Sequence, residues 1–192
     1  MADLILIGAG GHARSCIDVV EMQGIWHIHG ILDIPEKVGA LVMGYPVIGT
    51  DADIERYASK GFTFLNCLGQ VGASPVRMRV AEMLQSLRAE EAVVVSPLAH
   101  VAKSASIGKG TIICHHALVN ACAVVGRGCI INSKALIEHD TIVEDYCHIS
   151  TGAILNGGVR IGRESFVGSH ATVVQGAQIA SNSFIKAGAL VK

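Results

Sequence analysis

Two stretches of this chain carry residues whose types and spacing suit chemistry. In INSKALIEHDTIVEDYCHIS (131–150), His139 sits between Glu138 and Asp140, and His148 follows nine residues later. An imidazole titrates near neutrality, so a histidine beside carboxylates is a candidate general base whose basicity the acids raise. In GAGGHA (8–13), Gly8, Gly10 and Ala13 match G-x-G-x-x-[GA], with Asp33 some twenty residues on. Glycines there let a backbone approach a pyrophosphate, a following helix offers its N-terminal N–H groups, and an acid at the end of the next strand suits a ribose or sugar hydroxyl. Three readings of this turn stay open: a nicotinamide dinucleotide site, a nucleotide-sugar diphosphate site, and a glycine turn with no ligand.

A repeat positions the first group. Every sixth residue from Val95 to Val191 is Val, Ile or Leu, seventeen positions without exception. A second column, Ala99, Ala117, Ala135, Ala153, Ala171 and Ala189, recurs every eighteen, and Thr111, Cys129, Cys147, Ser165 and Ser183 form a third. Eighteen residues are three hexads, so each coil has three flat sides. The large aliphatic points inward and the small residue two positions earlier fits a corner. The spacing predicts a triangular parallel β-helix of about five coils. A structural prism of the antifreeze or scaffold kind would show regular outward threonines. Here the outward positions are irregular and include His115, His116, His139, His148 and His170.

The first ninety residues read differently. Apolar runs at 4–8, 28–33 and 62–69 predict three strands, and 13–24, 51–60 and 74–88 predict helices, a short Rossmann-like parallel α/β unit. The expected domains are 1–91, a Rossmann-like nucleotide-sugar-binding unit, and 92–192, a β-helix. Three strands are too few for a two-half dinucleotide fold, which favours the nucleotide sugar over NAD.

Composition narrows the function classes. With 15 Lys+Arg against 16 Asp+Glu, no positive excess exists to bind nucleic acid or an acidic membrane. Hydrophobic residues at 51% supply a core, and aromatics at 4% make it aliphatic. No apolar run approaches a membrane span, the N-terminus is not a signal peptide, and six cysteines show no CxxC pair. A reduced, cytoplasmic protein is expected. His115 and His116 share no metal-ligand spacing with a thiol or carboxylate, so no metal is expected. Cys147 beside His148 invites an acetyl-enzyme, but its place in the small-residue column makes it packing.

GAGGHA opening a short α/β unit, an uninterrupted hexapeptide repeat and IEHDTIVEDYCHIS (137–150) together resemble the bacterial hexapeptide-repeat sugar acetyltransferases. That family includes sialic acid O-acetyltransferases and N-acetyltransferases acting on nucleotide-linked 4-amino-6-deoxy sugars. The resemblance implies a left-handed β-helix, acetyl-CoA as co-substrate, and a homotrimer. It implies N-acetylation of a UDP- or dTDP-linked 4-amino-4,6-dideoxy sugar, in surface polysaccharide or glycan assembly. The alternatives are O-acetylation of a nonulosonic acid and a non-catalytic trimeric scaffold. By the same resemblance His139 is the catalytic base and Asp140 the acid that raises its basicity. His148 contacts acetyl-CoA, and Gly157, one coil beyond His139, is a looser cofactor contact. Asn132 binds substrate, as do Gly10, Gly11, His12, Asp33 and Gly69. The chain departs from the family at Ala189-Leu190-Val191-Lys192, short of its usual Pro-Ala-Lys ending, which bears on the cofactor contacts. His139 near a corner and His148 in the middle of a side lie one and a half sides apart, facing away from each other. A site using both must draw on two subunits.

Overall fold

The computed structural model describes residues 1–192. They form two compact units, one of Met1–Gly69 with Ser74–Ala92 and one of Gln70–Ala73 with Val93–Lys192.

The first unit begins with β1 (Ala2–Ile7), whose last four residues are buried, then α1 (Gly11–Gln23) and β2 (Trp26–Leu32). Gly24 closes α1 in the left-handed conformation, its N–H on the Val20 carbonyl at 3.1 Å. After β3 (Leu41–Val42) and β4 (Tyr45–Gly49), a helical turn at 51–53 leads into α2 (Ile54–Ala58). Thr50 and Asp53 form its capping box. Then come β5 (Thr63–Asn66), α3 (Pro75–Ser86) and β6 (Glu90–Glu91). The sheet runs β3-β4-β2-β1-β5-β6, with only the β3–β4 pair antiparallel. The expectation of three strands is therefore corrected to six. Two of the additional strands are two residues long, too short to show a period, and β4 carries Pro46, which reads as a strand breaker. Ile5, Ile7, Leu32, Ile54, Phe64, Val80 and Leu84 form the buried core.

The second unit is a triangular parallel β-helix. Its seventeen two-residue strands stack into parallel sheets of six, six and five, and partners lie eighteen residues apart, as in Ile112↔Ile130 and Ile130↔His148. The inward column is fully buried over most of its length: Ile113, Val119, Ile131, Ile137, Val143, Ile149, Leu155, Ile161, Val167 and Val173 are 0–2% exposed. Small polar side chains beneath the corners donate to carbonyls fifteen residues on: Thr111 Oγ1 to Gly126 at 2.7 Å, Cys147 Sγ to Gly162 at 3.2 Å, Ser165 Oγ to Ala180 at 3.1 Å.

A further column marks the corners. Every sixth residue from Gly110 to Gly188 has a positive φ, between 56° and 72°, and eight of these fourteen are not glycine. Each L-residue there costs roughly 1–2 kcal/mol. The ladder offsets this cost, because corner N–H groups reach carbonyls of the preceding coil: Asp140 to Ala121 at 3.0 Å, Tyr146 to Arg127 at 2.8 Å, Gly158 to His139 at 2.9 Å. No helix of the chain is long and apolar enough to cross a membrane.

Candidate active site

His139 lies in the corner between the strand Leu136–Ile137 and the strand Ile142–Val143, one residue before left-handed Asp140 (φ 58°). That turn directs both side chains outward, at 55% and 66% exposure. His139 Nδ1–H donates to Asp140 Oδ2 at 2.8 Å, which leaves the lone pair on Nε2, where no protein atom competes for it. Glu138 Oε2 accepts from Asn120 Nδ2 at 2.8 Å and from the His139 backbone N–H at 3.3 Å, pinning the corner from below. Such an imidazole can accept a proton at Nε2 while a carboxylate holds its other nitrogen. Gly157, in the next coil, lies against this ring: a Cβ there would sit 2.7 Å from both Cε1 and Nε2.

His148 lies on a side and points out of the prism, opposite to inward Ile149, but its ring is covered where exposure was expected. It is 7% exposed. Coil neighbours Ile130 and Phe166 flank it, with the Phe166 ring edge-on at 5.2 Å. Ser133 N–H donates to Asn132 Oδ1 at 2.8 Å, so Asn132 turns its Nδ2 donor to His148 Nε2 at 3.1 Å. His148 Nδ1–H then donates to the Gln70 carbonyl at 2.6 Å. Both nitrogens are satisfied by this chain. Asn132 and His148, expected as a substrate and a cofactor contact, thus meet each other, on a face apart from the corner that joins His139, Asp140 and Gly157.

In the first unit, Gly8 (φ +105°) makes the turn out of β1; a Cβ there would lie 2.9 Å from the Leu68 side chain and 3.1 Å from its backbone N. Gly10 caps α1 without a side-chain bond, and a Cβ on Gly10 or Gly11 would meet nothing within 4 Å. The start of α1 is therefore an open bed of N–H groups that fits a pyrophosphate. Gly69 lies beside His12: a Cβ added to Gly69 would sit 3.4 Å from the His12 Cβ. Asp33, an expected substrate contact, makes three hydrogen bonds within the chain. Oδ2 accepts from the Ala9 N–H and from Lys37 Nζ at 3.2 Å, and Oδ1 accepts from the Ile34 N–H at 2.7 Å. The carboxylate braces the turn that opens α1.

Several supporting residues carry no motif. Gln70 reaches His148 through its backbone carbonyl, which no side-chain pattern can announce. Arg77 is 1% exposed and donates from Nη1 to the Asn66 and Leu68 carbonyls, shaping the loop ahead of Gly69. Only Lys37, four residues after Asp33, had a readable signal. The Cys147 thiol is pushed up by its hydrogen bond with Cys129 and by burial, so it stays protonated. Glu144 is held below the usual carboxylate range by Arg160 and by the Arg163 N–H. No group of three or more His, Cys, Asp or Glu side chains is placed to hold a metal.

Known proteins share this fold. Residues 3–84 match the PglD N-terminal domain family. The acetyltransferase domain of PglB from Neisseria gonorrhoeae, solved with acetyl coenzyme A, is 31% identical and superposes with a TM-score of 0.90 over 99% of this chain and 90% of its own. PerB from Caulobacter crescentus, solved with CoA and GDP-perosamine, is 26% identical with a TM-score of 0.89, over 100% and 90%. An uncharacterised protein of Acanthamoeba polyphaga mimivirus is 34% identical over 116 residues, 60% of this chain and only 22% of that protein's length. The chain belongs to the hexapeptide-repeat sugar acetyltransferases, enzymes that draw their acetyl group from acetyl-CoA, and its prism is their left-handed β-helix.

Proposed function

We propose that this chain acetylates the amino group of a nucleotide-linked amino sugar, with His139 as general base. The observation that carries this reading is the exposed His139 ring, its Nδ1–H tied to Asp140 and its Nε2 open. The fit of the α1 N-terminus to a diphosphate favours a nucleotide-linked acceptor over a free nonulosonic acid. Acetyl-CoA supplies an acyl group activated as a thioester. The neutral sugar amine attacks the acyl carbon, the N–C bond forms and the C–S bond breaks. His139 Nε2 takes the amine proton and returns it to the departing thiolate, while Asp140 stabilises the transient imidazolium. Backbone N–H groups stabilise the developing oxyanion. With both nitrogens engaged, His148 serves as an organiser of its face and reaches acetyl-CoA through its ring. The acceptor is expected on UDP or dTDP; GDP-perosamine beside PerB adds GDP to the range.

His139 and His148 lie on opposite faces, so a site that uses both takes His139 from one subunit and His148 from the next. A homotrimer closes three such clefts.

The test is thiol release from acetyl-CoA with UDP-, dTDP- and GDP-linked 4-amino sugars and with free sialic acid. Turnover with one nucleotide-linked amine supports the proposal. Turnover confined to the hydroxyl acceptor would assign O-acetylation in its place.

A further inference from the structure

We infer that Gly157 is a positioning residue for the His139 imidazole. Glycine at this position has no backbone cause, because its φ lies outside the left-handed range that the neighbouring corner residue Gly158 (φ 67°) adopts. Nor does a close backbone approach require it. At Gly108, Gly126, Gly162 and Gly168, an added Cβ would meet main-chain atoms of the next coil at 2.4–2.8 Å. At Gly157 the three nearest atoms all belong to one side chain, the His139 ring: Cε1 and Nε2 at 2.7 Å and Cδ2 at 3.4 Å. Equivalent positions one coil apart carry side chains, Lys103, Ala121 and Gln175. The missing Cβ is therefore the space that the edge of the imidazole occupies.

Occupying that space has a defined consequence. His139 is an exposed, flexible side chain, so an added methyl does not break the coil; it swings the ring outward. The swing pulls Nδ1 from Asp140 and moves Nε2, the atom that takes the proton. Gly157 acts through His139. A cofactor contact at Gly157 would instead act on acetyl-CoA affinity.

This inference rests on the general-base reading of His139 for its kinetic half only. The experiment is Gly157→Ala, read in two ways. The first is 15N NMR of the His139 ring in the free protein, which needs no assigned activity. The wild type should hold the Nδ1–H tautomer, and the variant should populate Nε2–H as the Asp140 bond is lost. The second is steady-state kinetics: kcat should fall roughly 10–100-fold with the KM for acetyl-CoA unchanged, the signature of a displaced catalytic atom. A wild-type tautomer in the variant overturns the inference, as does a weakened acetyl-CoA KM at full kcat. A shifted tautomer in a protein inactive on every acceptor would uphold the inference and sink the acetyl-transfer reading alone. Should the single variant unfold, a His139→Ala, Gly157→Ala double variant that folds identifies the same ring contact, and one that also unfolds overturns it.

Discussion

The corner that holds His139 and the face that holds His148 are built from one repeat, yet they treat the same side chain in opposite ways. A corner lies outside the stacked sheets, and the coil neighbours of His139 there, Ala121 and Gly157, are too small to cover its ring, so it stays exposed with one nitrogen open. A side position is stacked in register between Ile130 and Phe166 and capped by Gln70, so His148 is buried and both its nitrogens are paired. Place in the coil, more than residue type or neighbouring sequence, decides which histidine keeps an open ring nitrogen and which has both paired.

The largest expected effect breaks the comparison at the corner. His139→Ala should cost about 10²–10⁴-fold in acetyl transfer, the usual size of a lost general base, with its melting temperature near that of the wild type. A coupled thiol-release assay beside a thermal melt separates the two, and wild-type turnover would remove His139 from the mechanism.

The face should respond in stability. Asn132→Ala leaves a buried His148 nitrogen unpaired, which costs about 1–3 kcal/mol. Urea denaturation should show that loss, whereas Asn120→Ala, next to Glu138 on the exposed corner, should show less. Equal losses at both positions would mean that burial does not distinguish the two regions.

A similar contrast holds in the first unit. Asp33→Ala removes the brace from the Ala9 and Ile34 N–H groups, so it should raise the acceptor KM several-fold and leave acetyl-CoA binding unchanged by calorimetry. Weakened acetyl-CoA binding would reverse the assignment of the turn.

The smallest effect concerns thiols. Cys122 is exposed and the other five cysteines are buried, so brief alkylation of the native protein should add one label, found on Cys122 by mass spectrometry. Rapid labelling of Cys147 would contradict its place under a corner.

The inward column could be read from sequence because every coil must fill the same triangular section, and only Val, Ile and Leu do so. The corner column could not: His116, Lys134 and Tyr146 hold the same left-handed φ as Gly110, since ladder hydrogen bonds and not residue type sustain it. His139 was readable from its flanking acids. The burial of His148 was not, because its cap is a main-chain carbonyl seventy-eight residues away. In the first unit, pairing with stronger neighbours creates β3 and β6, which no period of two residues can announce.

The most direct measurement follows from the two opposed faces. His139→Ala and His148→Ala chains, each inactive alone, are mixed in equal amounts under conditions of proven subunit exchange. If each cleft takes His139 from one subunit and His148 from its neighbour, about a quarter of the clefts in random trimers regain both, and a corresponding share of wild-type turnover returns. No recovery despite exchange, or full wild-type activity from a monomer in light scattering, would contradict a site shared between subunits.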